Sequence, residues 1–127
     1  MVQCINYLHE NHVAHRDLKP ENFILMTKDS LDLMLIDFGL CFKWKKNMKK
    51  ENVIKAGQFV GTAYYMAPEV YRGEPYDERC DIYSLGIILF MMVTGEPPVK
   101  GFTSAEVMQN IRAGQLNLHG KPVSTQS

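Results

Sequence analysis

Apolar residues in the first third of the chain follow first a helical and then a strand-like spacing. Residues 1–11 place apolar side chains about one helical turn apart, which predicts a helix that ends near Asn11. Residues 23–26 and 31–36 are short apolar or alternating runs, separated by the polar residues 27–30. This pattern predicts two strands joined by a turn, a β-hairpin.

Helical spacing returns in the second half of the chain. Pro68 suits the first turn of a short helix, because a proline there loses no helical hydrogen bond. The apolar run from about Asp81 to Thr94 predicts a long buried helix, which Gly95 and two following prolines end. Ile88 and Met92 are expected in the core.

A last helix is predicted from Ser104 to Ala113. Ser104 is the expected capping residue, and Gly114 is the residue expected to stop the helix. The apolar face of this helix consists of Val107, Met108 and Ile111. We expect one domain over residues 1–118 and a frayed tail over residues 119–127.

The loop between the first helix and the hairpin concentrates charge. Five of the eight side chains in residues 15–22 are ionisable, and Pro20 prevents a helix from running through them. Fifteen residues after Asn22, Asp37 closes the second apolar run. Two acids and an amide at this spacing suit a site for Mg²⁺ and phosphate, because Mg²⁺ prefers hard oxygen ligands.

Composition narrows the class of protein. A chain of 127 residues with 46% hydrophobic residues is typical of one globular domain. Lysine plus arginine and aspartate plus glutamate both number 14, and this balance argues against a nucleic-acid-binding protein. The three cysteines are widely spaced, and the longest apolar stretch, residues 82–93, is too short to span a bilayer. We therefore expect an intracellular, cytoplasmic protein without a membrane span.

A lysine-rich segment lies within residues 40–60. Glu51 is its only acid, and its basic residues are Lys43, Lys45, Lys46, Lys49, Lys50 and Lys55. We expect a solvated surface segment, with docking of an acidic partner or an anionic surface as the alternative.

Four motifs resemble the C-terminal lobe of a eukaryotic protein kinase. They are HRDLKPEN at 15–22, DFG at 37–39, GTAYYMAPE at 61–69 and DIYSLG at 81–86, in the order and spacing of that family. The resemblance implies a mainly α fold with a small β-hairpin. Lys19, two residues after Asp17, is similar to the lysine of serine/threonine kinases. The surrounding sequence is most similar to the calcium/calmodulin-type branch, especially calcium-dependent protein kinases.

The resemblance implies a role for most residues of the charged loop. Asp17 matches the catalytic aspartate that accepts the proton of the substrate hydroxyl, and Lys19 matches the residue that neutralises the transferred phosphate. Asn22 and Asp37 match the ligands of Mg²⁺. Ile24 matches the apolar floor under adenine, so ATP and Mg²⁺ are the implied cofactors.

Other matches concern the scaffold. His15 and Phe38 match two members of the apolar stack that links the lobes in an active kinase. Asp81 matches a buried aspartate at a helix start that accepts hydrogen bonds from the catalytic-loop backbone. Glu69 matches an acid that usually pairs with an arginine in the last helices of the lobe.

Two further matches concern the substrate, which the resemblance implies is a protein or peptide. Thr62 matches a threonine that contacts Asp17 and Lys19 beside the substrate. Glu21 matches an acid that pairs with an arginine upstream of the phosphoacceptor.

Arg16 matches an arginine that binds a phosphate on the activation segment, here residues 37–69. Residues 40–60 contain no serine, threonine or tyrosine, and Thr62 is the first hydroxyl after Asp37. We therefore expect a kinase that does not need phosphorylation there. Control would come from a calcium-sensing region outside this chain.

The sequence departs from the family in the motifs that it lacks. It has no glycine-rich phosphate loop, no Val-Ala-Ile-Lys strand and no partner glutamate helix. The N-terminal lobe and the last helices of the C-terminal lobe are therefore expected to be absent, and the isolated chain to have little activity. The alternatives are a piece of an active serine/threonine kinase, a truncated binding or regulatory module without catalysis, and a small-molecule phosphotransferase. Lys19 and the APE segment argue against the last.

Overall fold

A computed structural model describes residues 1–45, 54–55, 57–58 and 60–119. Its helices are α1 (Val2–Glu10), α2 (Pro68–Tyr71), α3 (Arg79–Thr94) and α4 (Ser104–Arg112), and its strands are β1 (Val13–Ala14), β2 (Phe23–Leu25), β3 (Leu33–Leu35) and β4 (Phe42–Lys43). Two short 3₁₀ turns lie at Pro20–Asn22 and Ala63–Tyr65. The predicted helices and hairpin are confirmed, although α3 begins two residues before Asp81.

The hairpin has one face toward the core and one toward solvent. β2 and β3 pair antiparallel, with Phe23 opposite Leu35 and Ile24 opposite Met34. Because successive side chains of a strand point to opposite faces, Phe23 and Leu35 pack inward while Ile24 and Met34 stay about half exposed.

A second strand pair has no counterpart among the predictions from sequence. β1 pairs antiparallel with β4, so that Ala14 lies opposite Phe42, and the Trp44 N–H donates to the carbonyl of His12 at 3.0 Å. Two-residue strands are too short to show a period of two. This pair brings the chain that follows Asp37 beside the chain that precedes His15.

Two hydrophobic clusters form the core of the described residues. The larger consists of Ala14, Trp44, Ile54, Met66, Ala67, Val70, Tyr71, Tyr76, Cys80, Val99, Val107 and Ile111, and the smaller of Ile5, Leu18, Leu85 and Ile88. α3 contributes Cys80 to the first cluster, and Leu85 and Ile88 to the second. α3 therefore connects the two hydrophobic clusters.

The prediction for α3 is wrong in its second half. Ile88 is buried as predicted, but Met92 is 63% exposed, and Leu89 and Val93 are exposed with it. The buried positions of α3 end at Ile88, because the described residues pack only against the first part of the helix. An apolar run does not indicate which of its turns will be covered.

The capping residue of α4 is also corrected. Thr103, not Ser104, has the extended backbone of a cap, and its hydroxyl accepts a hydrogen bond from the Glu106 N–H at 3.2 Å. The Glu106 carboxylate accepts one from the Phe102 N–H at 2.8 Å, a close relative of the capping box. At the other end Gly114 takes a φ of 70°, as predicted for the residue that stops the helix.

Replacing Thr103 with alanine should lower the free energy of unfolding by about 1 kcal/mol, because the N–H of Glu106 then loses its acceptor. Urea denaturation measures the change. Ser104→Ala is the matched control and should change stability by only a few tenths of a kcal/mol. Equal losses in the two variants would contradict the cap at Thr103.

Two sequence predictions fall partly outside the described residues. Of the lysine-rich segment, Lys43, Lys45 and Lys55 are exposed, whereas residues 46–53 are not described. The same holds for residues 120–127 of the predicted tail. Within the described ranges, no helix combines the length and apolar character needed to cross a membrane.

Candidate active site

The loop that carries Asp17 is anchored by a buried carboxylate in the first turn of α3. Asp81 is fully buried, and its two oxygens accept hydrogen bonds from the backbone N–H groups of His15 and Arg16, each at 2.8 Å. The ring of His9, on α1, lies 2.8 Å from the same carboxylate. A charge without solvent is tolerated when it is bonded in this way, so Asp81 holds α1 and the loop on α3.

Two residues of the site have unusual backbone angles. Arg16 has a φ of 68° and Asp37 a φ of 64°, in the left-handed region that non-glycine residues rarely enter. Such residues cost about 1–3 kcal/mol each and persist where the surroundings hold them. At Arg16 the holding group is Asp81.

Asp17, Lys19 and Thr62 form a closed polar cluster. Asp17 is 8% exposed, and the Thr62 hydroxyl donates to its Oδ1 at 2.7 Å. The Lys19 ammonium lies 3.3 Å from Asp17 Oδ2 and donates to Thr62 Oγ1 at 3.2 Å. The structure therefore brings together the three residues that the kinase resemblance groups beside the substrate.

Asn22 and Asp37 are linked through the start of the hairpin. The buried Asn22 side chain donates to the backbone carbonyl of Asp17 at 2.9 Å, and its own backbone carbonyl accepts from the Ile36 N–H at 2.9 Å. Asp37 follows Ile36 directly and is exposed, with its Oδ1 accepting from the Gly39 N–H at 3.3 Å. The backbone of Asn22 is thereby bonded to the residue that directly precedes Asp37.

This donor set fits Mg²⁺ bound together with phosphate. Among the described residues, no donor bonds to the side-chain oxygen of Asn22, and no cluster of three histidine, cysteine or acidic side chains could hold a metal. Mg²⁺ is commonly held by one or two carboxylates, while phosphate oxygens and water supply the remaining ligands. Asp37 offers one carboxylate and Asn22 one amide oxygen of this hard-oxygen type.

His15 connects the two acidic loops. Its ring is fully buried, its Nε2 lies 3.1 Å from the carbonyl oxygen of Ile36, and it contacts Phe38 edge to face at 5.3 Å between ring centroids. Phe38 keeps half of its surface exposed. Ile24 and Met34 form a second exposed apolar surface, one strand residue beyond Phe23.

The Arg16 side chain bonds to residues 37–69 at two points, Leu40 and Gln58. Its Nε donates to the Leu40 carbonyl at 2.6 Å, and its Nη1 donates to the Gln58 side-chain oxygen at 2.9 Å and to the Tyr76 hydroxyl at 3.2 Å. The guanidinium also lies over the Phe42 ring, 5.6 Å from its centroid. No motif or spacing in the sequence indicated Gln58 or Tyr76.

Two predicted acids lie at the edge of this arrangement. Glu21 is exposed, and its charge adds to burial in raising the pKa of Tyr65. Glu69, in the first turn of α2, is half-buried, and no ion pair to it occurs in the described part of the chain.

Neither of the two thiols nearest to Asp81 suits a nucleophile. Burial, and then the charge of Asp81, raises the pKa of Cys41 to about 11 and that of Cys80 further still. Both thiols are therefore protonated at neutral pH.

Comparison with known proteins finds the same family that the four sequence motifs resemble. Residues 1–126 match the protein kinase domain. The chain is 44% identical over 115 residues to calcium-dependent protein kinase 4 of Plasmodium falciparum, which covers 87% of this chain and 20% of that protein. It is 40% identical over 115 residues to calcium-dependent protein kinase 5 of the same organism, covering 89% and 19%. Identity to calcium-dependent protein kinase 3 of Plasmodium yoelii yoelii is 38% over 118 residues, covering 92% and 21%. The chain thus spans about a fifth of the length of these relatives.

Proposed function

The chain belongs to the protein kinase domain family, and on that premise we propose that it carries the catalytic residues of a serine/threonine protein kinase. The observation that carries the proposal is the cluster in which Thr62 and Lys19 hold the Asp17 carboxylate. The placement of residues 1–118 in the C-terminal lobe of such a kinase is part of the same proposal.

The chemistry follows from this cluster. The oxygen of a substrate hydroxyl attacks the γ-phosphorus of ATP, the bond to the bridging oxygen breaks, and ADP leaves. The hydroxyl proton passes to the Asp17 carboxylate, which Thr62 holds by Oδ1. Lys19 contributes a positive charge beside the transferred phosphoryl group, and such charge stabilisation is most of what phosphoryl transfer requires.

Asn22 and Asp37 are the residues that would hold Mg²⁺, and the exposed side chain of Ile24 would contact adenine. The metal supplies positive charge on the phosphates when ATP is bound. The chain's own contribution is to keep both ligands at fixed places through the Ile36–Asn22 hydrogen bond.

Glu21 is the residue proposed to select the substrate. Its carboxylate is exposed near Tyr65 and is free to pair with a cation. A peptide with an arginine upstream of its serine fits that charge. The names of the relatives suggest calcium control, which would act through a region outside these residues.

The test is phosphate transfer from ATP and Mg²⁺ to an Arg-x-x-Ser peptide by the complete gene product that contains this chain. The expected result is labelled phosphoserine, with none on the Arg-x-x-Ala control. Transfer to a small alcohol but not to the peptide would contradict the proposal. For the isolated 127-residue chain we expect little phosphate transfer. The alternative function, a binding or regulatory module without catalysis, predicts no transfer by the complete gene product either.

Phosphatase treatment should leave the activity unchanged. Arg16 already binds the side chain of Gln58, and residues 40–60 have no hydroxyl to modify. Peptide phosphorylation before and after treatment, with mass spectrometry of residues 37–69, measures this. Loss of activity together with loss of a phosphate from Thr62 would contradict the prediction.

A further inference from the structure

The chain between Asp37 and Glu69 contacts the catalytic loop, residues 15–22, at Gln58, Gly61 and Thr62. The Gln58 side chain accepts from Arg16, Gly61 packs on the backbone of Arg16, and the Thr62 hydroxyl donates to Asp17. The contact at Gly61 is close, because a Cβ there would lie 2.6 Å from the Arg16 carbonyl oxygen. Gln58, Gly61 and Thr62 therefore each contact the loop, so this part of the chain meets it at three points rather than at one.

Gln58 belongs to a ring of three hydrogen bonds. Its side-chain oxygen accepts from Arg16, its backbone carbonyl accepts from the Tyr76 hydroxyl at 3.0 Å, and that hydroxyl accepts from Arg16. Burial raises the pKa of Tyr76, although the hydrogen bond from Arg16 opposes the rise. The hydroxyl therefore stays protonated and can donate.

The other two members of the ring are held independently of Gln58. Tyr76 is 3% exposed and exchanges two backbone hydrogen bonds with Ile54, at 2.8 and 3.0 Å. Arg16 is held by Asp81 at its backbone and by Leu40 at its side chain. The Gln58 side chain is exposed and accepts its hydrogen bond from Arg16, while the N–H of the preceding Gly57 donates to the Gly73 carbonyl at 3.2 Å.

We infer that Gln58 is a positioning residue: its hydrogen bond to Arg16 fixes Gln58 beside the loop so that Thr62, four residues further along, reaches Asp17. The inference rests on the proposed kinase function for its catalytic consequence. The amide oxygen completes the ring without a negative charge, so the arrangement needs no covalent modification. Gln58 acts through Arg16 and Thr62 and does not itself contact the substrate.

The experiment compares Gln58→Ala, Gln58→Glu and Gln109→Ala in the complete gene product. Gln109 is an exposed glutamine on α4 and serves as the matched control. Hydrogen exchange of the Tyr65 amide, which donates to the Thr62 carbonyl at 3.0 Å, reports the order of the segment. Peptide phosphorylation reports kcat and the two KM values.

In Gln58→Ala, we expect the Tyr65 amide to exchange about fivefold faster and kcat to fall about fivefold, with both KM values unchanged. Gln58→Glu keeps the acceptor and should restore both readouts, and Gln109→Ala should match the wild type. Wild-type exchange and kcat in Gln58→Ala would overturn the inference, as would equal losses in Gln58→Ala and Gln58→Glu.

The two proposals fail in different ways. If no variant, including the wild type, phosphorylates the peptide while exchange still rises in Gln58→Ala alone, the kinase function fails and the contact made by Gln58 stands. If the wild type is active and Gln58→Ala equals it in every readout, the function stands and the inference about Gln58 is wrong.

Discussion

Asp17→Asn should lower kcat for peptide phosphorylation by about 10²–10⁴-fold in the complete gene product, the range of a lost general base. Asparagine has the shape of aspartate and retains an oxygen for the Thr62 hydroxyl, which donates to Asp17 Oδ1 at 2.7 Å. It cannot take up the proton of the substrate hydroxyl. The loss should therefore appear in kcat, with the KM for ATP little changed.

The control is Asp29→Asn, a change of the same chemistry in the exposed turn between β2 and β3. It should keep wild-type kinetics. Circular dichroism should give the same helical signal for both variants, because neither residue is part of a helix. Asp17→Asn with a kcat within threefold of the wild type would contradict the role of Asp17 as a base.

Asp81→Ala should have the largest effect on stability, a loss of about 3–5 kcal/mol in the free energy of unfolding. Alanine leaves the buried N–H groups of His15 and Arg16 without an acceptor and leaves His9 without its partner. An unpaired buried donor is far more costly than an absent hydrogen bond. Urea denaturation followed by circular dichroism measures the loss. If the variant is already unfolded in buffer, the loss is at least the whole free energy of unfolding of the wild type.

Asp29→Ala is the matched control for stability, because it removes an exposed carboxylate. Its effect should lie within about 0.5 kcal/mol. If Asp81→Ala lost less than 1 kcal/mol, the anchoring of the catalytic loop on α3 would be wrong.

Local elements were predictable where neighbouring residues carry the signal. The hairpin follows from alternation in residues 23–26 and 31–36, and α4 stops before Gly114 because glycine takes a positive φ readily. The two wrong predictions concern the capping residue of α4 and the burial of Met92. Threonine and serine are both common capping residues, and Thr103 is the cap of α4 because its backbone is extended there. Met92 is apolar and helical but lies beyond the part of α3 that the described residues cover.

In the candidate active site, some features were predictable from the sequence and others were not. Motif order indicated Asp17, Asn22 and Asp37, because each lies in a short contiguous motif, HRDLKPEN or DFG. The backbone angles at Arg16 and Asp37 carry no signal in residue type, since neither is glycine. Only the anchoring by Asp81 explains why Arg16 keeps its angle.

The sequence by itself determined the helices, the hairpin and the chemical groups that are present, because these depend on residues a few positions apart, whereas the β1–β4 pair gave no such signal. The family resemblance implied that Thr62 meets Asp17 and that Asp81 meets the loop backbone, whereas the contact between Gln58 and Arg16 comes from the tertiary structure alone. Thr62 and Asp17 are 45 residues apart, Gln58 and Arg16 are 42 apart, and Asp81 and Arg16 are 65 apart. Such contacts depend on how α3 and the β1–β4 pair bring distant segments together, and no local spacing encodes them.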